Sequence, residues 1–236
     1  MSIKYIVTGT GRCGTKFMSK FLTSAGIKCG HEVIFFNGGI EEARKNILLH
    51  EDLEADSSYM AAPYLNCDIL SNAKIIHVVR EPMKVINSFV ACFLYFLSST
   101  PSCKKSKFEW TYAYPPGADP EFKFMNFMWS HLPALNAKYI KAVDRAAIYY
   151  IEWNRMIEQA CSGRDFLFHP IESDVSKILD FMSVDMPKSN LHNDKTTNRV
   201  PHDTKYYLSD ISEPIKSNLI SMGKSYGYFS RPYMLL

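Results

Sequence analysis

A chain of 236 residues with 47% hydrophobic and 22% charged side chains has the composition of an ordinary globular protein. It is long enough to bury a core unaided, which excludes disordered, fibrous and disulfide-stapled classes. A net charge of +3 and a pI near 8.4 suit an anionic ligand but, with no Lys/Arg run interleaved with aromatics, do not indicate nucleic acid.

In chain order, Lys4 to Thr8 reads as a buried strand and Thr15 to Ala25 as a helix with Phe17, Met18, Phe21 and Leu22 at helical spacing. Ile27 to Phe36 reads as a short strand or strand-loop at the sheet's edge. Glu41 to Leu49 reads as a helix, and Ser57 to Leu65 as another short helical segment. Ala73 to Val79 is a continuous β-rich run of the kind found in parallel strands covered on both faces. Arg80-Glu81-Pro82 ends it, and Met83 to Phe96 continues as an apolar helix with proline near its first turn.

From about 97 to 122 the periodicity collapses into Ser, Pro, Gly and aromatics, a long loop or insertion of the kind that serves as a lid or binding segment. Lys123 to Ile140 and Val143 to Ala160 read as helices, Asp165 to Pro170 as a strand and Asp174 to Met182 as a helix. Pro187 to Lys205 is polar and irregular, and Glu213 to Gly223 reads as a last helix. Strands alternating with helices predict right-handed βαβ units, a three-layer α/β sandwich around a parallel sheet of four to five strands. A single domain, 1–236, is expected.

Six cysteines without a C-x-x-C pair argue against a zinc site and for a reducing compartment. The chain runs directly into a core strand with no signal-peptide pattern. Its longest apolar stretch, Val85 to Leu97, is broken by Asn87 and Ser88 and is shorter than the ~20 residues of a membrane span. A soluble, cytoplasmic protein follows as the expectation.

Chemistry concentrates at strand ends. After the first strand come Gly9, Gly11 and Gly14 with Arg12 among them, and then a helix. Glycines let a phosphate approach the main chain, and free amides at the helix N-terminus cradle the anion. A magnesium-dependent nucleotide-hydrolysing loop would read G-x-x-x-x-G-K-[ST]. Here Gly9 and Gly14 keep that spacing, but Thr15 and Lys16 stand in reversed order and the interior cation is Arg12. The bland alternative is a tight strand-to-helix turn. Arg80, ending a later strand, and Ser88, eight residues on, form a guanidinium-plus-hydroxyl receptor for a second phosphate. A ligand with two separated phosphates is therefore expected.

These residues resemble the sulfotransferase family. GTGRCGTKF is similar to its 5′-phosphosulfate loop, and Arg80-Glu81-Pro82 through Ser88 to its 3′-phosphate motif. The resemblance covers the first ninety residues well and implies a P-loop nucleotide-kinase-like fold. It also implies 3′-phosphoadenosine 5′-phosphosulfate as donor, adenosine 3′,5′-bisphosphate as product, and no metal. The loop residues Gly11, Arg12, Cys13, Gly14, Thr15 and Lys16 would hold the 5′-phosphate and sulfuryl group, with Arg12 neutralising the bridging oxygen, and Arg80 and Ser88 would hold the 3′-phosphate. The run HEVIFF matches the place where several branches carry a catalytic Glu, so Glu32 is the first candidate base and His31, near neutrality in its intrinsic pKa, the second. A hydrogen-bonded loop residue is the alternative for His31.

Lys195, Asn198 and Arg199 would close over the nucleotide as a late basic loop, or form a solvated surface. Ser57 and Ser58 line the site or cap a helix. Trp110, Tyr112 and Tyr114 stack on an acceptor or anchor the insertion, and His77 reads as a core histidine. Cys13, beside Arg12 and a helix terminus that favour its thiolate, reads as a redox-sensitive thiol and, with no triad partner in view, not as a catalytic nucleophile. The acceptor is a hydroxyl on a sugar, lipid or small molecule. A P-loop kinase and a non-catalytic nucleotide-binding protein remain the alternatives.

Overall fold

Five short strands pair side by side, all parallel, in the order β2-β3-β1-β4-β5. They are β1 (Tyr5–Thr8), β2 (Cys29–His31), β3 (Ala55–Ser57), β4 (Lys74–Val79) and β5 (Phe166–Pro170). The accompanying helices are α1 (Thr15–Ser24), α2 (Gly39–Leu49), α3 (Pro82–Leu97), α4 (Ala142–Cys161), α5 (Ser176–Met182) and α6 (Glu213–Ser225). This computed structural model describes residues 3–35, 39–97, 127–136, 141–185 and 205–229. The expected parallel α/β sheet flanked by helices is present, with five strands. The chain forms two compact units, Met1–Arg80 with Trp153–Arg199, and Glu81–Glu152 with Val200–Leu236.

The first unit holds the whole sheet. Side chains alternate across a strand, so Val7, Ile76 and Val78 share one face, where Ala55 joins them. Phe17, Met18, Phe21 and Leu22 of α1 and Ile178, Leu179 and Met182 of α5 bury that face. Each such side chain contributes about 1.5–3 kcal/mol on leaving water. On the other face lies His77, whose Nε2 is 2.9 Å from Asn154 Oδ1 on α4. Trp153 of the same helix donates its Nε1–H to Tyr59 O at 3.1 Å. His77 is thus a core histidine, as its place inside a strand suggested. The Arg164 guanidinium donates to the carbonyls of Leu65, Leu70 and Ala73 and ties the chain leading into β4.

Three elements differ from the sequence reading. The helix expected from Ser57 is preceded by a strand: Ala55–Ser57 pairs with β1 on one side and β2 on the other. Only then does a 3-10 turn, Tyr59–Tyr64, begin, with Ser58 Oγ accepting the Met60 amide at 3.2 Å. Asp56 in the middle of β3 disguised the strand. The edge strand after Ile27 pairs only over Cys29–His31, because Glu32 turns into the left-handed region at φ 56°. Of the helix expected over Lys123 to Ile140, residues 127–131 are helical and a 3-10 turn, Pro133–Asn136, follows. Proline cannot extend an α-helix in its interior. Residues 98–122, including Trp110, Tyr112 and Tyr114, lie outside the described residues.

In the second unit, α3 starts with Pro82 and is capped by Glu81, whose carboxylate accepts the Met83 and Lys84 amides at 3.0 and 2.8 Å. Proline there surrenders an amide that no helical carbonyl would have taken. Asn87 donates to Met83 O and Tyr206 O and accepts the Tyr206 amide at 2.6 Å. Asp144 accepts both the amide and the hydroxyl of Ser212, at 2.8 and 2.6 Å. Phe89 and Tyr149 stack with centroids 4.3 Å apart. Among the described residues no helix is long and apolar enough to cross a membrane.

Candidate functional site

From β1 the chain runs to β2 on one side of the sheet, and from β4 it runs to β5 on the other. In an open parallel sheet, ligands bind past the strands' C-terminal ends at such a reversal. The loop 9–14 leaves β1 there, and Arg80 stands at the end of β4. Gly9 is demanded by close approach: a Cβ on it would lie 2.1 Å from Val78 O and 2.6 Å from Cys13 Sγ. Gly14 is demanded by its φ of 119°, the conformation from which α1 starts.

Arg12 has no such licence, yet its φ is 72°. A left-handed non-glycine residue costs about 1–3 kcal/mol, and such strain collects at ligand sites. Arg80 helps to hold it by donating from Nη1 to Arg12 O at 3.2 Å. At the other end of the loop, Ser57 Oγ donates to Thr15 O at 2.8 Å and Met18 bonds back to Gly14 O at 3.0 Å. The Thr15 amide is directed at the Cys13 sulfur, and the start of α1 carries the partial positive charge that favours an anion at a helix N-terminus. Cys13 is not the activated thiol expected: it is fully buried, and burial pushes its pKa up to about 12 despite Arg80 nearby. Desolvation of a thiolate outweighs the cation.

The end of β2 brings the second group of candidates to the same loop. His31 Nε2 is 3.5 Å from Thr15 Oγ1 and 3.7 Å from Glu32 Oε1. The two side chains are 16% and 12% exposed, so water reaches both only narrowly. Burial, and then the Lys16 ammonium, lower the His31 pKa to about 4, leaving a neutral imidazole. Burial and then the Asp56 charge raise the Glu32 pKa to about 8, against the opposing pull of Lys16 and Arg12. A carboxyl so placed titrates where a general base is useful.

One contributor, Asp56, escaped the sequence reading, and a second, Ser57, acts through contacts that reading did not specify. Asp56, fully buried, accepts the Val33 amide on Oδ1 at 3.2 Å and the Ile34 amide on Oδ2 at 3.3 Å. Ser57, read as site lining or a cap, pins the start of α1 and accepts the Glu32 amide on its carbonyl at 3.3 Å. Asp56 follows Glu51, Asp52 and Glu54 and precedes two serines, so the local sequence reads as a polar surface turn and carried no signal that marked this carboxylate as buried. Ser58 does cap, as expected.

The structure therefore brings Gly11, Arg12, Cys13, Gly14, Thr15, Lys16, His31, Glu32 and Arg80 together at the strand ends of the first unit. Ser88 belongs to the second unit, on the second turn of α3, and is 8% exposed. Lys195, Asn198 and Arg199 lie outside the described residues. Three cationic side chains, a hydroxyl, first-turn amides, a neutral imidazole and an elevated carboxyl can bind an anion and take a proton beside it. Comparison with protein-family models and with curated proteins finds no match to this chain.

Proposed function

We propose that this protein is a sulfotransferase that moves a sulfuryl group from 3′-phosphoadenosine 5′-phosphosulfate to a hydroxyl acceptor. The observation that carries this reading is the meeting of Arg12, Lys16 and Arg80 at the strand ends with two candidate bases, His31 and Glu32, next to them. The strand order, with the loop-bearing β1 at its centre, supports a P-loop nucleotide-kinase-like fold. The donor set fits a polyanion: cations and amides on one side, and Thr15 Oγ1 beside His31.

The donor, when bound, supplies a sulfur that forms a bond to the acceptor oxygen as its bond to the 5′-phosphate oxygen breaks, leaving the electron pair on that phosphate. Arg12 and Lys16 offset the charge gathering on the departing oxygen, and the α1 amides hold the phosphate in place. Glu32 in its ionised form takes the acceptor's hydroxyl proton, and neutral His31 is the second group able to do so. Positioning and preorganised charge do most of the work in such an in-line transfer. Gly9 and Gly14 keep the spacing of a nucleotide-hydrolysing loop, but the reversed Thr15-Lys16 order weakens the kinase reading.

Calorimetric titration with adenosine 3′,5′-bisphosphate, without magnesium, tests the reading. Binding is expected, and Arg80→Ala should weaken it about 10- to 100-fold, the loss of one charge-assisted contact. Absence of binding by the unaltered protein, or magnesium-dependent ATP turnover in its place, overturns the proposal.

A further inference from the structure

The residue that organises this site is neither a loop cation nor the base. Asp56 sits in the middle of β3 with no exposed surface. A buried carboxylate is costly unless its oxygens are hydrogen-bonded, and both are: Val33 N–H at 3.2 Å and Ile34 N–H at 3.3 Å. The Phe35 amide adds to the same hold. These are consecutive amides of the turn that begins at Glu32, where φ is 56°. Gly30 leaves room for the arrangement, since a Cβ there would come within 2.7 Å of Asp56 Oδ1.

We propose that Asp56 is the positioning residue of the site: its carboxylate gathers the amides that follow Glu32, fixes the strained turn, and sets a like charge against the Glu32 carboxyl. The catalytic consequence rests on the reading of Glu32 as base, whereas the titration behaviour does not. Glu32 is faced by His31 from β2, by Lys16 from α1, by Arg12 from the loop and by Asp56 from β3. Asp56 itself is faced by Cys29 of β2 and by His50 beyond α2. Burial raises the Asp56 pKa to about 6, with the three amides pulling the other way. Of the two carboxyls, Asp56, held by amides, gives up its proton first, and Glu32 keeps its proton longer. The nearby negative charge makes Glu32, once ionised, a stronger base than an ordinary carboxylate.

Carbon-13 carboxyl NMR of the full chain, with Glu32→Gln for assignment, tests this directly. In Asp56→Asn the Glu32 midpoint should fall by about one pH unit, the scale of removing a nearby like charge. The Val33 and Ile34 amides should exchange at least about tenfold faster as one hydrogen-bonded charge is lost. Should Asp56→Asn not fold, the unaltered protein serves: the Val33 and Ile34 amide shifts should titrate together near the Asp56 midpoint. In a transfer assay, the acid limb of the kcat/KM profile should move down with the Glu32 midpoint, which a residue needed only for folding would not do. An unmoved Glu32 midpoint, or amide shifts that ignore Asp56, overturns the proposal. Failure of the sulfuryl-transfer reading would appear separately, as loss of bisphosphate binding with these titrations intact.

Discussion

Replacing Glu32 by glutamine keeps the shape of the side chain and removes its titration, so the difference between the two proteins isolates what holding this carboxyl costs the fold. The Glu32 pKa rises from an ordinary 4.5 to about 8 in the folded chain. A folded-state value above the unfolded one means that the folded chain keeps the proton longer. The associated stability is fully present below about 4.5 and is lost as pH rises through about 8. Each pH unit in that window is worth about 1.4 kcal/mol, so the full gap amounts to about 5 kcal/mol. The side chain keeps 12% of its surface in water, so about 5 kcal/mol is the upper bound of the effect. Urea unfolding followed by tryptophan fluorescence, with Trp153 fully buried as a reporter, should show Glu32→Gln and the unaltered protein nearly equal at pH 4.5. By pH 9 the variant should be the more stable of the two, by at most about 5 kcal/mol. The same substitution should slow transfer by at least about 100-fold, leaving what neutral His31 supports. Stability curves that stay parallel across this range would refute the account of Glu32 as a buried, charge-crowded carboxyl.

Gly9→Ala should lower stability by at least about 2 kcal/mol, because the nearest atom to the new methyl is backbone that cannot swing aside; a thermal melt checks this. Asn154→Ala should cost about 1–3 kcal/mol by denaturant titration through loss of the buried bond to His77. Cys13 should resist thiol-alkylating reagents at pH 7.5 in the native protein and react only on unfolding, since it is buried with a pKa near 12; peptide mass spectrometry reads the outcome. Labelling of Cys13 in the folded chain would restore the activated-thiol expectation.

Much of the scaffold was legible because local pattern and long-range packing agreed. The continuous apolar run of β4 announced a strand covered on both faces, and the glycines between β1 and α1 announced a tight turn into a helix. Their structural counterparts are a strand buried from Ile75 to Val79 and a loop whose Gly9 touches β4. The strand at 55–57 was not legible, since three residues carry no period and Asp56 contradicts the apolar pattern. Its pairing with two neighbours, and the amides awaiting its carboxylate, come from segments some 20 to 50 residues away.

The site divides the same way. The sequence by itself determined the inventory: a glycine loop with Arg12 and Lys16, a strand-ending Arg80, and an acidic residue beside His31. These are residue types in order along one chain, and their chemistry is intrinsic to them. Only tertiary structure decided their states. Burial reversed the expectation for Cys13, turning a candidate thiolate into an inert thiol, because desolvation outweighs a neighbouring cation. Burial together with the Asp56 charge made Glu32 a carboxyl that titrates near 8. A pKa depends on what fills the few ångströms around a group, and here those neighbours are set by strand order rather than by adjacency in the chain.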